Sequence, residues 1–176
     1  LNANDLAGAV DVLKAYHEAE PDNLGVIATI GNVYYEMEEE QDAIEWYSKY
    51  LAKATPETQG QDYWNILVDQ ASMYLHLSDG KADDANYGEA LSRLLRATKE
   101  VPKHWAAWFN LGEVYKAGDD KAKALGAYKK SEEVADDGDR RWQSQSKIAE
   151  LEGKPAPPKP ETDPHAGMDM GDGGGL

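Results

Sequence analysis

The chain has 176 residues, 33 acidic against 18 basic, for a net charge of −15, and it contains no cysteine. That length suits one domain with a modest core. The charge argues against nucleic-acid phosphates and anionic membrane surfaces as ligands, and the missing thiols exclude disulfides, cysteine-ligated zinc and iron–sulfur clusters.

Residues 5–20 place Leu6, Ala9, Val10, Leu13 and Tyr16 on one helical face. Pro21-Asp22-Asn23 ends that helix and supplies a cap for the next. Helices are predicted over 24–38 and 40–53, the second turning Ala43, Ile44, Tyr47, Tyr50 and Leu51 inward. The stretch from Thr55 to Gly60 reads as a connecting loop, and further helices are predicted over 62–77, 86–100, 105–117, 120–135 and 139–152. No stretch alternates with a period of two, so no sheet is expected, and no apolar run is long enough to span a bilayer. From Gly153 onward, five prolines and six glycines fall within 24 residues without an apolar period. This composition predicts an extended tail outside the helical domain, disordered in the isolated protein and ordered only when docked.

One spacing recurs. Trp108, Leu111, Gly112 and Tyr115 fall at i, i+3, i+4 and i+7, a single helical stripe, and after the break at Gly118-Asp119-Asp120 a second stripe runs through Ala124, Leu125, Tyr128 and Ser131. Ile27, Ile30, Gly31, Tyr34, Ala43 and Tyr47 repeat the pattern upstream, and Leu67, Ala71, Tyr74, Ala90, Leu94, Ala97 and Pro102 repeat it between the two. Gly31 and Ala43 are 12 positions apart, as are Gly112 and Ala124, whereas Ala71 and Ala90 are 19 apart, an excess of seven in that turn. Ala9, Leu13 and Pro21 fit a second helix with no first helix before it, and Trp142 and Ala149 fit a first helix with no second after it. The pattern closely resembles the tetratricopeptide repeat. The resemblance implies an all-α fold, a right-handed superhelical array of antiparallel helical hairpins. It divides residues 1–152 into a half repeat at 4–23, repeats at 24–57, 61–103 and 105–137, and a capping helix at 139–152, with a tail at 153–176.

In this family the first helix of each hairpin lines a concave groove. With Trp108 as place 4 of its repeat, the groove-facing places give Asn32, Tyr35 and Glu36, then Asn65, Asp69, Ser72 and His76, then Phe109, Asn110, Glu113 and Lys116, with Arg140 and Lys147 from the last helix. Asparagines can both donate to and accept from a peptide backbone, and aromatic rings offer stacking area. The implied function is a non-enzymatic scaffold or adaptor that binds an extended segment or helix of another protein in this groove, with the tail as a second docking element in a larger assembly. Members that hold chaperone C-terminal carboxylates use Lys, Arg and Asn as a clamp; Asp69 and its mostly neutral or acidic companions depart from that set. Trp105, Phe109, Tyr35 and Trp46 lie off the packing stripe and are expected at a contact surface.

No catalytic constellation is present: His17, His76, His104 and His165 form no i, i+4 pair, and no phosphate-binding glycine loop occurs. No cofactor is expected. His165, Met168 and Met170 in the tail are the one ligand-like cluster, chemically suited to copper, and leave a metal-handling accessory protein as an alternative reading. A structural subunit, joined to a complex or to a second copy through the repeat ends, is another. The exposed flank at the N-terminal end is expected to be Leu6, Val10 and Leu13, forming a docking surface. The chain begins at Leu1 and not at Met; a removed secretory signal, pointing to a periplasmic or secreted setting, and a trimmed boundary both account for that.

Overall fold

The computed structural model describes residues 3–160. Nine helices occur among them: α1 (Ala3–Ala19), α2 (Leu24–Glu36), α3 (Glu40–Lys53), α4 (Pro56–Gln59), α5 (Gln61–Leu77), α6 (Ala85–Glu100), α7 (Trp105–Ala117), α8 (Lys121–Val134) and α9 (Gly138–Glu152). No strand occurs among the described residues. Helices α2/α3, α5/α6 and α7/α8 pack as antiparallel hairpins, and each second helix leans on the first helix that follows, so the array closes without a sheet or a long crossover. The seams are capped from the sequence. Asn23 accepts from the Val26 amide at 3.2 Å, Asp84 from Asn86 at 2.7 Å, Asp120 from Lys123 at 3.1 Å and Asp137 from Arg140 at 2.7 Å, each satisfying one amide that a helix start leaves open. The stretch read as a plain loop holds one helical turn, α4, because Thr55 and Thr58 form a reciprocal capping box around Pro56.

Within two hairpins a tyrosine from the second helix lies flat on a glycine of the first. A Cβ added at Gly31 would sit 2.5 Å from the Tyr47 ring, and one at Gly112 would sit 2.5 Å from the Tyr128 ring; both rings are buried. The middle hairpin has Ala71 and Leu94 at the equivalent places, a larger residue on the first helix and a smaller one on the second, and both are buried. The seven extra residues between α5 and α6 fold against the next hairpin. Tyr87, in the first turn of α6, donates its hydroxyl to the Val114 carbonyl at 3.0 Å, and Gly80 approaches Ala117. Buried Gln70 joins three helices, donating to the Ile44 carbonyl and the Ser48 hydroxyl and accepting from Arg93.

The N-terminal end differs from expectation. Leu6 and Val10 are buried, and Leu13 is half-buried against the core, because this side of α1 packs on α2. The exposed apolar side chains are Val12 at 71% and Tyr16 at 51%. With half-buried Ala9 they lie at i, i+3 and i+7, the spacing of Ala43, Trp46 and Tyr50 in α3. Leu6, Val10 and Leu13 therefore do not form a bare docking flank; the open side is the one turned away from α2. Trp46, expected at a contact surface, is instead buried, edge-on to His17 of α1 at 5.0 Å.

At the other end, Gly153 takes a left-handed conformation, φ 69°, and closes α9. The chain then doubles back along the helix. Trp142 Nε1 donates to the Pro157 carbonyl at 2.9 Å, Lys159 lies over the Trp142 ring, and Pro160 comes to Gly138. Residues 154–160 thus run beside α9 and are not a free tail. The rest of the tail, including His165, Met168 and Met170, lies outside the described residues.

Two outcomes follow from this packing. Gly112→Ala should lower stability by about 1–3 kcal/mol through overpacking, and combining it with Tyr128→Leu, which recreates the Ala71/Leu94 pairing, should cost less than the sum of the single changes; a double-mutant cycle by denaturant titration measures this coupling. At the N-terminal end, Val10→Glu should cost at least the ~1.5–3 kcal/mol of a buried side chain, while Val12→Glu should leave the melting temperature unchanged.

Candidate functional site

The first helices α2, α5 and α7 and the last helix α9 carry the predicted groove set. Two groups of polar contacts in this set are consequences of the core. Because each tyrosine crosses over a glycine, its hydroxyl emerges on the far side of the first helix: Tyr47 donates to Asn32 Oδ1 and Tyr128 to Glu113 Oε1, both at 2.7 Å. Burial raises both phenols above the ordinary range, Tyr128 further through its bond to Glu113, so both remain donors. Asn32 and Glu113 are therefore held in place from beneath.

A cleft of about 990 Å³ lies between α5, α7 and α9, with Asn65, Asp69, Val101, His104, Trp105 and Arg140 among its walls. His104 fixes one wall. It caps α7, its Nδ1 accepting from the Ala107 amide at 3.3 Å, and its Nε2 lies 3.0 Å from Asn65 Oδ1. One nitrogen accepting requires the other to carry the proton, so the ring is neutral and donates to Asn65. Burial, with help from nearby Arg140, holds its imidazolium below the ordinary value. Gln61 donates to the same Asn65 oxygen at 3.3 Å, which leaves the Asn65 amide nitrogen unengaged among the described residues. Next to His104, Trp105 gives the cleft wall its aromatic surface; it stacks on Phe109 at 4.8 Å between ring centres, Phe109 meets Tyr128 edge-on at 5.6 Å, and Trp105 Nε1 donates to the buried Ser144 hydroxyl of α9 at 3.0 Å.

Charges on this face are mostly paired within it. Lys147 meets Glu113 at 2.7 Å, Lys116 meets Glu150 at 2.6 Å, and Arg140 meets Asp136 at 2.6 Å while lying over Trp105. His76 turns to Glu40 at the start of α3, 2.9 Å away, and so braces two hairpins rather than standing open in the groove. Asp69 differs: among the described residues it has no hydrogen-bond or ion-pair partner. Its carboxylate reaches solvent, but the walls of the concavity rise on both sides, and this desolvation pushes it up to about 6. Tyr35 is exposed and, like Asp69, lies close enough to act on the Tyr47 hydroxyl.

Of the predicted groove residues, Asn32, Tyr35 and Asp69 thus gather around Tyr47, and Asn65 joins His104 and Trp105. Phe109 and Glu113 are half-buried beside Tyr128, and Ser72 and Asn110 are half-buried along the first helices. No contact places Glu36 with either group; it is exposed at the end of α2. His104 is absent from the predicted set. Its signal is positional: it follows Pro102-Lys103 at the start of α7, where a side-chain acceptor is needed, although histidine is not the usual residue for that task. A second cleft of about 520 Å³, walled by Gln70, Arg93 and Arg96 among others, opens between α3 and α6, but its Gln70 and Arg93 already bind each other and Arg93 also pairs with Glu89. Among the described residues no three His, Asp or Glu side chains form a group able to hold a metal ion, and no helix is long and apolar enough to cross a membrane.

Residues 75–139 match the family model for the tetratricopeptide repeat. Over that segment the chain is similar to the tetratricopeptide-repeat family. A search of curated proteins finds no match. Solved structures share the fold: MamA, at 23% identity and TM-score 0.67, over 85% of this chain and 80% of that one; MamA from Desulfovibrio magneticus RS-1, at 16% and 0.67, over 84% and 75%; and TTC0263, a thermophilic tetratricopeptide-repeat protein of Thermus thermophilus, at 17% and 0.62, over 83% and 72%. The matched segment runs from the end of α5 through α8 and contains His104, Trp105 and the Gly112/Tyr128 contact. The repeat fold suits a protein-interaction scaffold.

Asp69 and His104 give the site opposite pH dependences. A carboxyl near 6 in the folded chain against an ordinary 3.8 costs nothing at low pH, and stability declines as pH rises from about 4 to 6. Asp69→Asn should therefore raise the melting temperature at pH 7, the gain shrinking toward pH 4. His104, held neutral by burial, contributes stability above its ordinary 6.5 that is lost as pH falls through its lower folded value. Thermal melts of parent, Asp69→Asn and His104→Asn across that range separate the two.

Proposed function

We propose that the protein is a non-catalytic scaffold that holds a segment of another protein in its concave groove. The observation that carries this reading is the cleft of about 990 Å³, lined both by Trp105 and by Asn65, whose amide nitrogen is unengaged. An extended chain needs both: a donor for its backbone carbonyls and apolar area for its side chains. The internal pairing of Lys147, Lys116 and Arg140 fits a pre-formed surface that binds without rearranging, which keeps the entropic cost of association low. The groove set extends from Asn32 and Tyr35 through Asn65 and Asp69 to Phe109, Asn110 and Glu113, with Glu36, Ser72 and His76 at its margins.

The structural-subunit reading draws on a separate observation, the exposed Val12 and Tyr16 on α1. A helix packed there would bury both, at the face away from α2. The two readings use opposite parts of the molecule and are compatible. The docking role of the tail falls to residues beyond 160, since those before it lie on α9.

A photo-crosslinking residue at position 35 should capture protein partners from the native host, and the same adducts should disappear when Asn65 and Phe109 are replaced by alanine with the helical circular dichroism unchanged. Adducts that persist undiminished in the folded double variant would place the partner elsewhere.

A further inference from the structure

Asp69 is the exception on a face whose other charged groups are largely matched. It lines the cleft with Asn65, His104 and Trp105, lies close enough to Tyr47 to act on its hydroxyl, and among the described residues no donor or cation reaches it. Its position on α5 is fixed, because the adjoining Val68 and Gln70 are buried and Gln70 is bonded to α3 and α6. A carboxylate in a cleft with no partner of its own keeps its acceptor positions available to a cationic ligand. The charged groups around it do not occupy them: Arg140 is engaged by Asp136 and Asp137, His104 is neutral, Glu100 adds a further negative charge to the cleft wall, and Lys103 is exposed at the edge.

The rest of the cleft completes a receptor. One turn before Asp69 on the same helix, Asn65 offers its amide nitrogen, since its oxygen is already taken by His104 and Gln61. Val101, Trp105 and Ala106 supply an apolar wall that the methylene stem of a long cationic side chain can cover. Glutamate or aspartate in the same position would face Asp69 with like charge.

We infer that the cleft between α5, α7 and α9 takes a lysine or arginine side chain of a partner protein's segment, with its charged head on Asp69, its stem along Trp105 and the adjoining backbone carbonyl on the Asn65 amide. This rests on the groove reading above and adds to it the charge of the ligand. The net charge of −15 draws a basic segment toward the protein as a whole, and Asp69 gives that attraction an address.

The probe is a blocked pentapeptide, acetyl-Gly-Leu-Arg-Leu-Gly-amide, titrated into the ¹⁵N-labelled full chain at pH 7.5 beside versions with citrulline or glutamate at the centre. Saturable shifts of the Asn65 side-chain amide and the Trp105 indole by the arginine peptide are expected. The citrulline and glutamate peptides should bind more weakly by roughly tenfold or more, the scale of one charge-assisted bond, and Asp69→Asn should reduce arginine-peptide binding equally while leaving the spectrum folded. Equal binding of all three peptides at Asn65 and Trp105, or arginine binding indifferent to Asp69→Asn, would overturn the cation assignment and leave the groove standing. No shift of either residue with any peptide would also overturn it; the crosslinking at position 35 decides the groove separately.

Discussion

The arrangement depends on how closely two helices approach within a hairpin. At Gly31 and Gly112 the missing side chain lets a tyrosine ring lie directly on the helix backbone. That contact sets the hairpin spacing, and it also delivers the phenol hydroxyl through the layer to Asn32 or Glu113 on the concave face. Packing and surface chemistry are therefore coupled: the same ring that excludes water from the core pins a polar group in the groove. The middle hairpin, with Ala71 and Leu94, has no hydroxyl to send through. Its concave face consequently lacks such a pin, and Asp69 is left without a neighbour to donate to it.

Much of this is legible in the sequence. The repeat spacing locates the helices to within two residues at most ends, because each stripe uses the same few places and the turns between them carry caps. The excess of seven residues between Ala71 and Ala90 is visible too, but not its use, which depends on Tyr87 finding a carbonyl in the next hairpin. The orientation of α1 escapes the sequence for a related reason. A lone second helix has two apolar sides, and periodicity cannot tell which of them the neighbouring helix takes; burial of Leu6 and Val10 is decided by α2. Trp46 likewise reads as a surface residue until α1 is seen to cover it.

The groove is legible as a list of places and less so as chemistry. Asn65 and Asp69 follow from register, yet what distinguishes them is their surroundings: one is braced by a histidine 39 positions away, the other is left without a partner. His76 holds a groove place but finds Glu40 first. Contacts of this kind join residues remote in sequence, and no single-helix pattern contains them.

The doubling back of residues 154–160 has a geometric consequence. Running back along α9 to Gly138, this segment covers the side of the helix that carries Trp142, while Arg140 and Ser144 turn a different side to Trp105. Shortening the chain to Gly153 would leave the Trp142 indole without its carbonyl acceptor and its ring bare, so residues 154–160 belong to the folded unit and act as a strap on its last helix.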